Sequence, residues 1–356
     1  PPKKIKTTLK KIYPVFEVDL DEEKIPALVT TTSWLLLQSV KEALWSGSLS
    51  KEDIRGKRIG VSIGTTVGCT LNNEPFYRKY RSGQNPSKEA FIKYLQNNPA
   101  HHIARKYNLK GPVATIANAC SSGTDAIGLA NSWIERGLCD MAIAGGTDEL
   151  SRITYLGFKS LLITSEESCR PFDKNRSGLN LGEGAGAVIL ENRESAKKRK
   201  ADVLAEIVSY STCADAYHPT APHPEGTGLK KAITHALRSG NLSPEDIDII
   251  NAHGTSTQNN DRTEGKVIKE IYPNCPVVST KSFTGHTLGA AGSIEVVFTV
   301  RALIDQRLPA TLGFEEYDDE CLIIPTQKTI ELNAKTGISH SLAFGGNNSV
   351  LILRRA

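Results

Sequence analysis

Residues 112–130 read PVATIANACSSGTDAIGLA, with Cys120 near the middle. The opening Pro112-Val113-Ala114-Thr115-Ile116 is an apolar run that fits a buried strand, and residues 122–130 are small and helix-compatible. A strand feeding a helix through a tight turn is the repeating unit of a parallel α/β sheet. Cys120 therefore stands at a strand-to-helix junction. Ala119, Ser121, Ser122 and Gly123 allow a sharp turn there and close approach of a substrate. The unpaired N–H groups and dipole at a helix start favour negative charge, so this position suits a thiolate. A cysteine in such a protein is ordinarily a packed small residue. The junction and its small neighbours set this one apart.

Working outward, short apolar runs recur with helical patterns between them. Ile59-Gly60-Val61-Ser62-Ile63 reads as a strand, as do Met141-Ala142-Ile143-Ala144 and Ala187-Val188-Ile189-Leu190. Between the first of these and the Cys120 strand, residues 76–107 are charged and aromatic, partly helical and partly loop. A charged stretch, 191–200, separates the halves. The second half repeats the plan with Ile247-Asp248-Ile249-Ile250-Asn251, Pro276-Val277-Val278-Ser279 and, after Gly345-Gly346-Asn347-Asn348, Val350-Leu351-Ile352-Leu353. His286 follows a strand and opens a helix over 288–297, as Cys120 does in the first half. Two reactive side chains at equivalent junctions suggest a duplicated unit with its site between the halves.

His253 ends a strand and enters a loop of Gly254, Thr255, Ser256 and Thr257, at the strand edge where α/β sites gather. The alternative is a loop histidine bonded to local backbone. His286 is flanked by Gly285, Gly289 and Gly292, which allow close backbone approach or tight helix packing. His101, His102, His218, His223, His235 and His340 lack comparable surroundings and read as surface, core or supporting groups.

Composition bounds what these groups can belong to. With 356 residues, 39% hydrophobic and 23% charged, the chain fits two packed units or one large α/β body. No apolar run approaches the ~18 residues of a membrane span. The start, Pro1-Pro2-Lys3-Lys4, lacks the basic-then-apolar pattern of a secretory signal, so a cytoplasmic location is expected. Seven scattered cysteines (Cys69, Cys120, Cys139, Cys169, Cys213, Cys275, Cys321) form no CxxC pair and read as reduced thiols, six of them structural. No His/Cys spacing makes a metal site. A net charge of +4 is too small and dispersed for nucleic acid but suits an acidic partner.

Six segments together carry a family resemblance. Ala119-Cys120-Ser121-Ser122-Gly123, His253-Gly254-Thr255-Ser256-Thr257, and the run from Thr280-Lys281-Ser282-Phe283-Thr284-Gly285-His286 to Gly292 are joined by Arg170-Pro171-Phe172-Asp173-Lys174, Gly182-Glu183-Gly184-Ala185-Gly186 and Phe344-Gly345-Gly346-Asn347-Asn348. In this order they resemble the elongating β-ketoacyl-acyl-carrier-protein synthases, condensing enzymes of fatty-acid and type II polyketide synthesis, aryl polyenes included. The match runs from about Val15 to the C-terminus. The resemblance implies a thiolase-like α/β fold of two similar βα halves, residues 1–190 and 201–356, packed as an α-β-α-β-α body.

It also implies roles. Cys120 would take an acyl group from a carrier protein's phosphopantetheine thioester, with the backbone N–H groups of Cys120 and Phe344 as oxyanion hole. His253 and His286 would hold the malonyl thioester carbonyl while decarboxylation leaves an enolate there. Lys281 and Glu295 resemble a supporting pair; Thr255 and Thr257 resemble hydroxyls that bind the phosphopantetheine arm. Phe344, beside Gly345, resembles a gate between acyl and malonyl pockets. Asp261 and Glu183 occupy acidic family positions with structural roles at least as fitting as catalytic ones. No permanently bound cofactor is implied beyond the arm that an acidic acyl carrier protein supplies. A homodimer is implied, with a heterodimer of related subunits open.

Several features depart from the family. Gln258-Asn259-Asn260 replaces a Pro and small residues, and 25–32 is nearly without charge where several docking cations are usual, leaving Arg105 and Lys106 as substitutes. Leu95-Gln96-Asn97-Asn98-Pro99 is atypical near the expected acyl pocket. An apolar first strand, expected centrally in the sheet, is absent, so residues before Pro1 or another segment are expected to fill its slot. Two other readings are a non-condensing partner subunit, opposed by the retained Cys120 and both histidines, and a degradative thiolase, opposed by the lack of a second Cys-x-Gly segment around Cys321. An initiating condensing enzyme usually pairs Cys with His and Asn, whereas His286 supplies a second imidazole.

Overall fold

The computed structural model describes residues 12–66 and 74–356, with the backbone at Lys3–Lys4; Cys69 lies outside the described residues. Two sheets carry the architecture. In the first, β1 (Ile59–Gly64), β2 (Val113–Ile116), β3 (Met141–Asp148) and β4 (Gly184–Glu191) pair in the order β2-β1-β3-β4, the first three parallel and β4 antiparallel. In the second, β5 (Ala205–Ala214), β6 (Ile249–Asn251), β7 (Val277–Val278), β8 (Thr336–Ala343) and β9 (Asn347–Arg355) pair in the order β7-β6-β8-β9-β5. There β7, β6 and β8 are parallel, and β9 runs against both β8 and β5. The second sheet thus repeats the order of the first and adds one strand at its edge.

The helices explain the layering. α1 (Thr31–Ser46) and α2 (Pro99–Tyr107) pack Leu36, Val40 and Ile103 on the outer face of the first sheet, against Ile59, Val61, Ile63 and Ile143. α3 (Ser122–Glu135) follows the turn that holds Cys120, and α4 (Arg152–Ser160) lies beyond β3. α5 (Thr227–Ser239) and α6 (Gln258–Ile271) cover the outer face of the second sheet through Leu229, Ile233, Val267 and Ile268. α7 (Ala291–Asp305) joins α3 in the middle layer, where Ile127, Val296 and Leu303 share a core with Ala142, Ala144, Ile249 and Leu351 from both sheets. Burying each such aliphatic side chain contributes about 1.5–3 kcal/mol, and here one layer of helices holds both sheets together. A Cβ on Gly292 would lie 2.0 Å from Thr124 Oγ1, and one on Gly123 would lie 2.8 Å from Ser293 N. Those glycines set how closely α3 and α7 cross. The order of layers is α-β-α-β-α.

Two expectations change. The strands of the first sheet are hydrogen-bonded neighbours throughout, so no central slot is empty among the described residues. By comparison with the second sheet, the strand without a counterpart is β5, which lies at an edge, beside the equivalent of β4. β5 itself was not among the expected strands, although its alternation of apolar and hydroxyl residues over Val208-Ser209-Tyr210-Ser211 fits a half-buried strand. Residues 76–107 contain helices Glu74–Arg81 and Glu89–Gln96 besides α2. Among the described residues no helix is long and apolar enough to cross a membrane.

Candidate active site

Cys120 sits in a 3-10 turn, Ala119–Ser121, between β2 and α3. Ala119 adopts φ +49°, a left-handed conformation that L residues rarely take. Local bonds hold it: Ser122 Oγ accepts from the Asn118 N–H at 2.8 Å and donates to the Ala119 carbonyl at 2.6 Å. Beneath the turn, the buried Asp125 carboxylate accepts from Ser121 Oγ, Asn118 Nδ2, Tyr210 Oη and Asn347 Nδ2 at 2.9–3.1 Å, and from Ser349 Oγ. Residues of the second sheet therefore brace the Cys120 turn of the first.

The thiol is 4% exposed, and burial pushes it up to about 12. Lys281 and the Phe344 backbone N–H, which bonds the thiol, pull it down but do not prevail. The helix start favours negative charge on the sulfur, and burial opposes it. Burial thus holds Cys120 as S–H.

Strands β6 and β8 run parallel, and each delivers part of the site just beyond its C-terminus: His253 after β6, Phe344 after β8. His253 and His286 line one cleft with Cys120, their rings 5.4 Å apart and nearly perpendicular. Lys281 Nζ lies 3.1 Å from His253 Nδ1, and an ammonium can only donate, so the His253 proton belongs on Nε2. The Leu288 N–H donates to His286 Nδ1 at 3.2 Å, which fixes the same tautomer there. Burial, reinforced by the Lys281 charge, lowers both imidazoles well below 6.5. The cleft thus holds two neutral imidazoles that each keep an Nε2–H to donate.

Lys281 is ion-paired with Glu295, both 2% exposed. Burial raises the Glu295 carboxyl while Lys281 lowers it. Two more carboxylates shape the His253 loop: Glu264 accepts the His253 and Gly254 N–H groups at 2.7 and 2.8 Å, and Asp261 accepts those of Thr255, Ser256 and Phe172. Asp261 is pushed up to about 6 by burial. Glu183 accepts from the Val18 and Leu150 backbones. Both Asp261 and Glu183 hold backbone, as a structural role requires.

The cleft has a volume of about 230 Å³ and is lined also by Thr255, Thr257, Gln258, Asn259, Asn260 and Phe344. Thr255 and Thr257 hydroxyls meet at 2.9 Å. Gly345 does not line it, and its N–H donates to the Pro219 carbonyl at 2.7 Å. The Phe344 ring stacks on Phe158 of α4, centroids 5.5 Å apart, and Phe158 also meets His286 edge-on. Sequence reasoning missed Phe158, Asp125 and Glu264, since an aromatic or acid inside a helix carries no local mark of its distant partners. Residues 25–32 lead into the buried N-cap of α1, where Thr30 Oγ1 accepts the Ser33 N–H. Arg105 and Lys106 are exposed on α2, and neither they nor residues 95–99 line the cleft.

The layered fold and the Cys-His-His cleft define a thiolase-like condensing enzyme. Residues 11–196 match the family described as "Beta-ketoacyl synthase, N-terminal domain", and residues 204–315 match "Beta-ketoacyl synthase, C-terminal domain". The chain belongs to the β-ketoacyl synthase family. It is 37% identical over 333 residues to a 3-oxoacyl-[acyl-carrier-protein] synthase 2 of Coxiella burnetii, covering 90% of this chain and 80% of that one. It superposes on the ishigamide ketosynthase/chain length factor with a TM-score of 0.90 at 29% identity, covering 96% of this chain and 87% of that one. A type II polyketide ketosynthase complex with its acyl-carrier protein, AntDE:AntF, gives 0.89 at 28% identity, over 96% and 88%. The protein is an acyl-transferring condensing enzyme, a ketosynthase.

Proposed function

We propose that Cys120 is the acyl acceptor and that His253 and His286 drive the decarboxylation of a malonyl thioester. The observation that carries this is the pair of neutral imidazoles, each with Nδ1 occupied by a donor and Nε2–H free to donate, in the cleft that holds the thiol. In the first half-reaction the sulfur attacks the acyl thioester carbonyl. The oxyanion meets the Cys120 and Phe344 backbone N–H groups, and the phosphopantetheine thiol leaves with the proton. Losing one such donor typically costs about 3 kcal/mol of barrier.

In the second half-reaction the bond between malonyl carboxylate and C2 breaks, carbon dioxide leaves, and the electron pair moves to the thioester oxygen as an enolate. Two Nε2–H donors aimed at one oxygen stabilise charge that appears only then. C2 attacks the Cys120 thioester, the 3-oxoacyl chain departs on its carrier, and the sulfur regains a proton. Lys281, paired with Glu295, keeps His253 in the donating tautomer. Thr255 and Thr257 take the phosphopantetheine arm, and the stacked Phe344 and Phe158 separate the acyl and malonyl sides.

The carrier is an acidic acyl carrier protein, as the net charge of +4 favours, and no permanently bound cofactor takes part. The two βα halves act as one unit in a dimer; a heterodimer with a related subunit is the second form, since one similar structure is a ketosynthase in complex with its chain length factor. The setting is cytoplasmic fatty-acid or type II polyketide synthesis. Intact-mass measurement after mixing with a panel of acyl-carrier proteins should show an acyl adduct lost in Cys120→Ala. His253→Ala and His286→Ala should each lower carbon dioxide release ~10²–10³-fold while leaving the adduct. Acylation surviving Cys120→Ala, or carbon dioxide release indifferent to both histidines, refutes the assignment.

A further inference from the structure

A third imidazole lies behind the site. His340, on β8, is wholly buried, and its Nδ1 lies 3.3 Å from Glu264 Oε1. That carboxylate, also wholly buried, is the one that accepts the backbone N–H groups of His253 and Gly254. Among the described residues, the Asn260 amide at 3.4 Å completes its shell. His340 Nε2 has no hydrogen-bond partner among the described residues, so the ring is oriented through Nδ1 alone. A buried imidazole with one satisfied nitrogen is costly to hold, and the Glu264 bond is what it obtains in return.

We infer that His340 is a positioning residue for the condensation: its Nδ1–H anchors Glu264, and Glu264 in turn fixes the backbone from which the His253 ring projects. The inference rests on the proposed role of His253. The two ends of this relay differ in stiffness. His340 sits in a strand paired with β9 over eight residues and with β6 on its other side. The His253 end is a loop whose shape includes a left-handed Ser256 at φ +67° and depends on carboxylate contacts. Without the Nδ1–H the strand keeps its place and the loop end relaxes. A shift of the His253 ring weakens its bond to the enolate oxygen, whereas Cys120 acylation relies on the turn before α3 and on the N–H of Phe344.

The test compares substitutions of similar size and polarity. An Asn amide reaches the Nδ1 position of a histidine and a Gln amide the Nε2 position, so His340→Asn restores the anchor and His340→Gln does not. The probes are malonyl-carrier protein, with carbon dioxide release followed, and an acyl-carrier protein, with Cys120 adduct formation followed by intact mass. His340→Gln and His340→Leu should lower the kcat of decarboxylation ~10-fold, a loss typical of a displaced catalytic group. His340→Asn should stay within about threefold and adduct formation within about twofold of the unsubstituted protein. If His340→Leu fails to fold, the Asn and Gln pair still decides. Equal behaviour of Asn and Gln, or parallel loss of both half-reactions, overturns the inference. His253→Ala in the same assay separates this from failure of the parent reading: if it leaves decarboxylation intact, the His253 role falls first.

Discussion

The two halves share one sheet order yet treat their reactive groups differently. In the first half Cys120 follows a strand, with left-handed Ala119 just before it and a 3-10 turn leading into α3. In the second half the turn after His286 contains left-handed Leu288 and a 3-10 segment, Leu288–Ala290, leading into α7. What stands behind each group differs. The Cys120 turn rests on Asp125 and a set of neutral donors, and the thiol stays protonated. The imidazoles rest near Lys281, Glu295 and Glu264, and stay neutral through burial beside a cation. A duplicated backbone can place a group at a junction; its chemistry comes from the partners that the other elements bring.

The strongest way to break this comparison is to silence one half and ask whether the other still works. Cys120→Ala should remove at least ~10³-fold of the overall condensation rate, as loss of a nucleophile does. Carbon dioxide release from malonyl-carrier protein should persist, because it needs only the imidazoles. Loss of both activities in a folded Cys120→Ala protein would show that the halves are not separable.

Next in size is the ion pair behind His253. Lys281→Met leaves Glu295 uncompensated in a buried site and should destabilise the fold by about 3–5 kcal/mol in denaturant unfolding. Adding Glu295→Gln should recover part of that loss. An unchanged midpoint in the single variant would show that the pair does not hold this region.

A third measurement sharpens the contrast in protonation. Both active-site imidazoles are depressed below 6.5 in the fold, so between their depressed values and 6.5 the unfolded chain binds more protons. Their contribution to stability is complete above 6.5 and is lost as pH falls below it, by up to about 1.4 kcal/mol per pH unit for each ring. Unfolding midpoints of the unsubstituted protein and of His253→Ala/His286→Ala should therefore converge on acidification from pH 7 to 5.5. Parallel curves would mean that these rings are not held neutral.

The smallest effect concerns the aromatic contact between α4 and the turn after β8. Phe158→Ala removes the stack on Phe344, worth about 0.5–1.5 kcal/mol beyond area burial. It should alter the range of acyl chains loaded onto Cys120 more than the decarboxylation rate, which a competition between short and long acyl-carrier proteins would read out.

What the sequence determined by itself is local: apolar runs short enough for strands, the small residues around Cys120, and the order of the motif segments. Those features yield the α/β class, the duplicated plan and the candidate Cys120, His253 and His286, because strand-to-helix junctions are written in neighbouring residues. Only the tertiary structure decided that the thiol rests protonated, that both imidazoles carry the proton on Nε2, and that Asp125, Phe158, Glu264 and His340 stand behind the site. His340 lies 76 residues from Glu264, and Ser349 lies 224 residues from Asp125. Burial, dielectric and hydrogen-bond partners at such separations arise only when the sheets close on their shared layer of helices, so no local pattern records them.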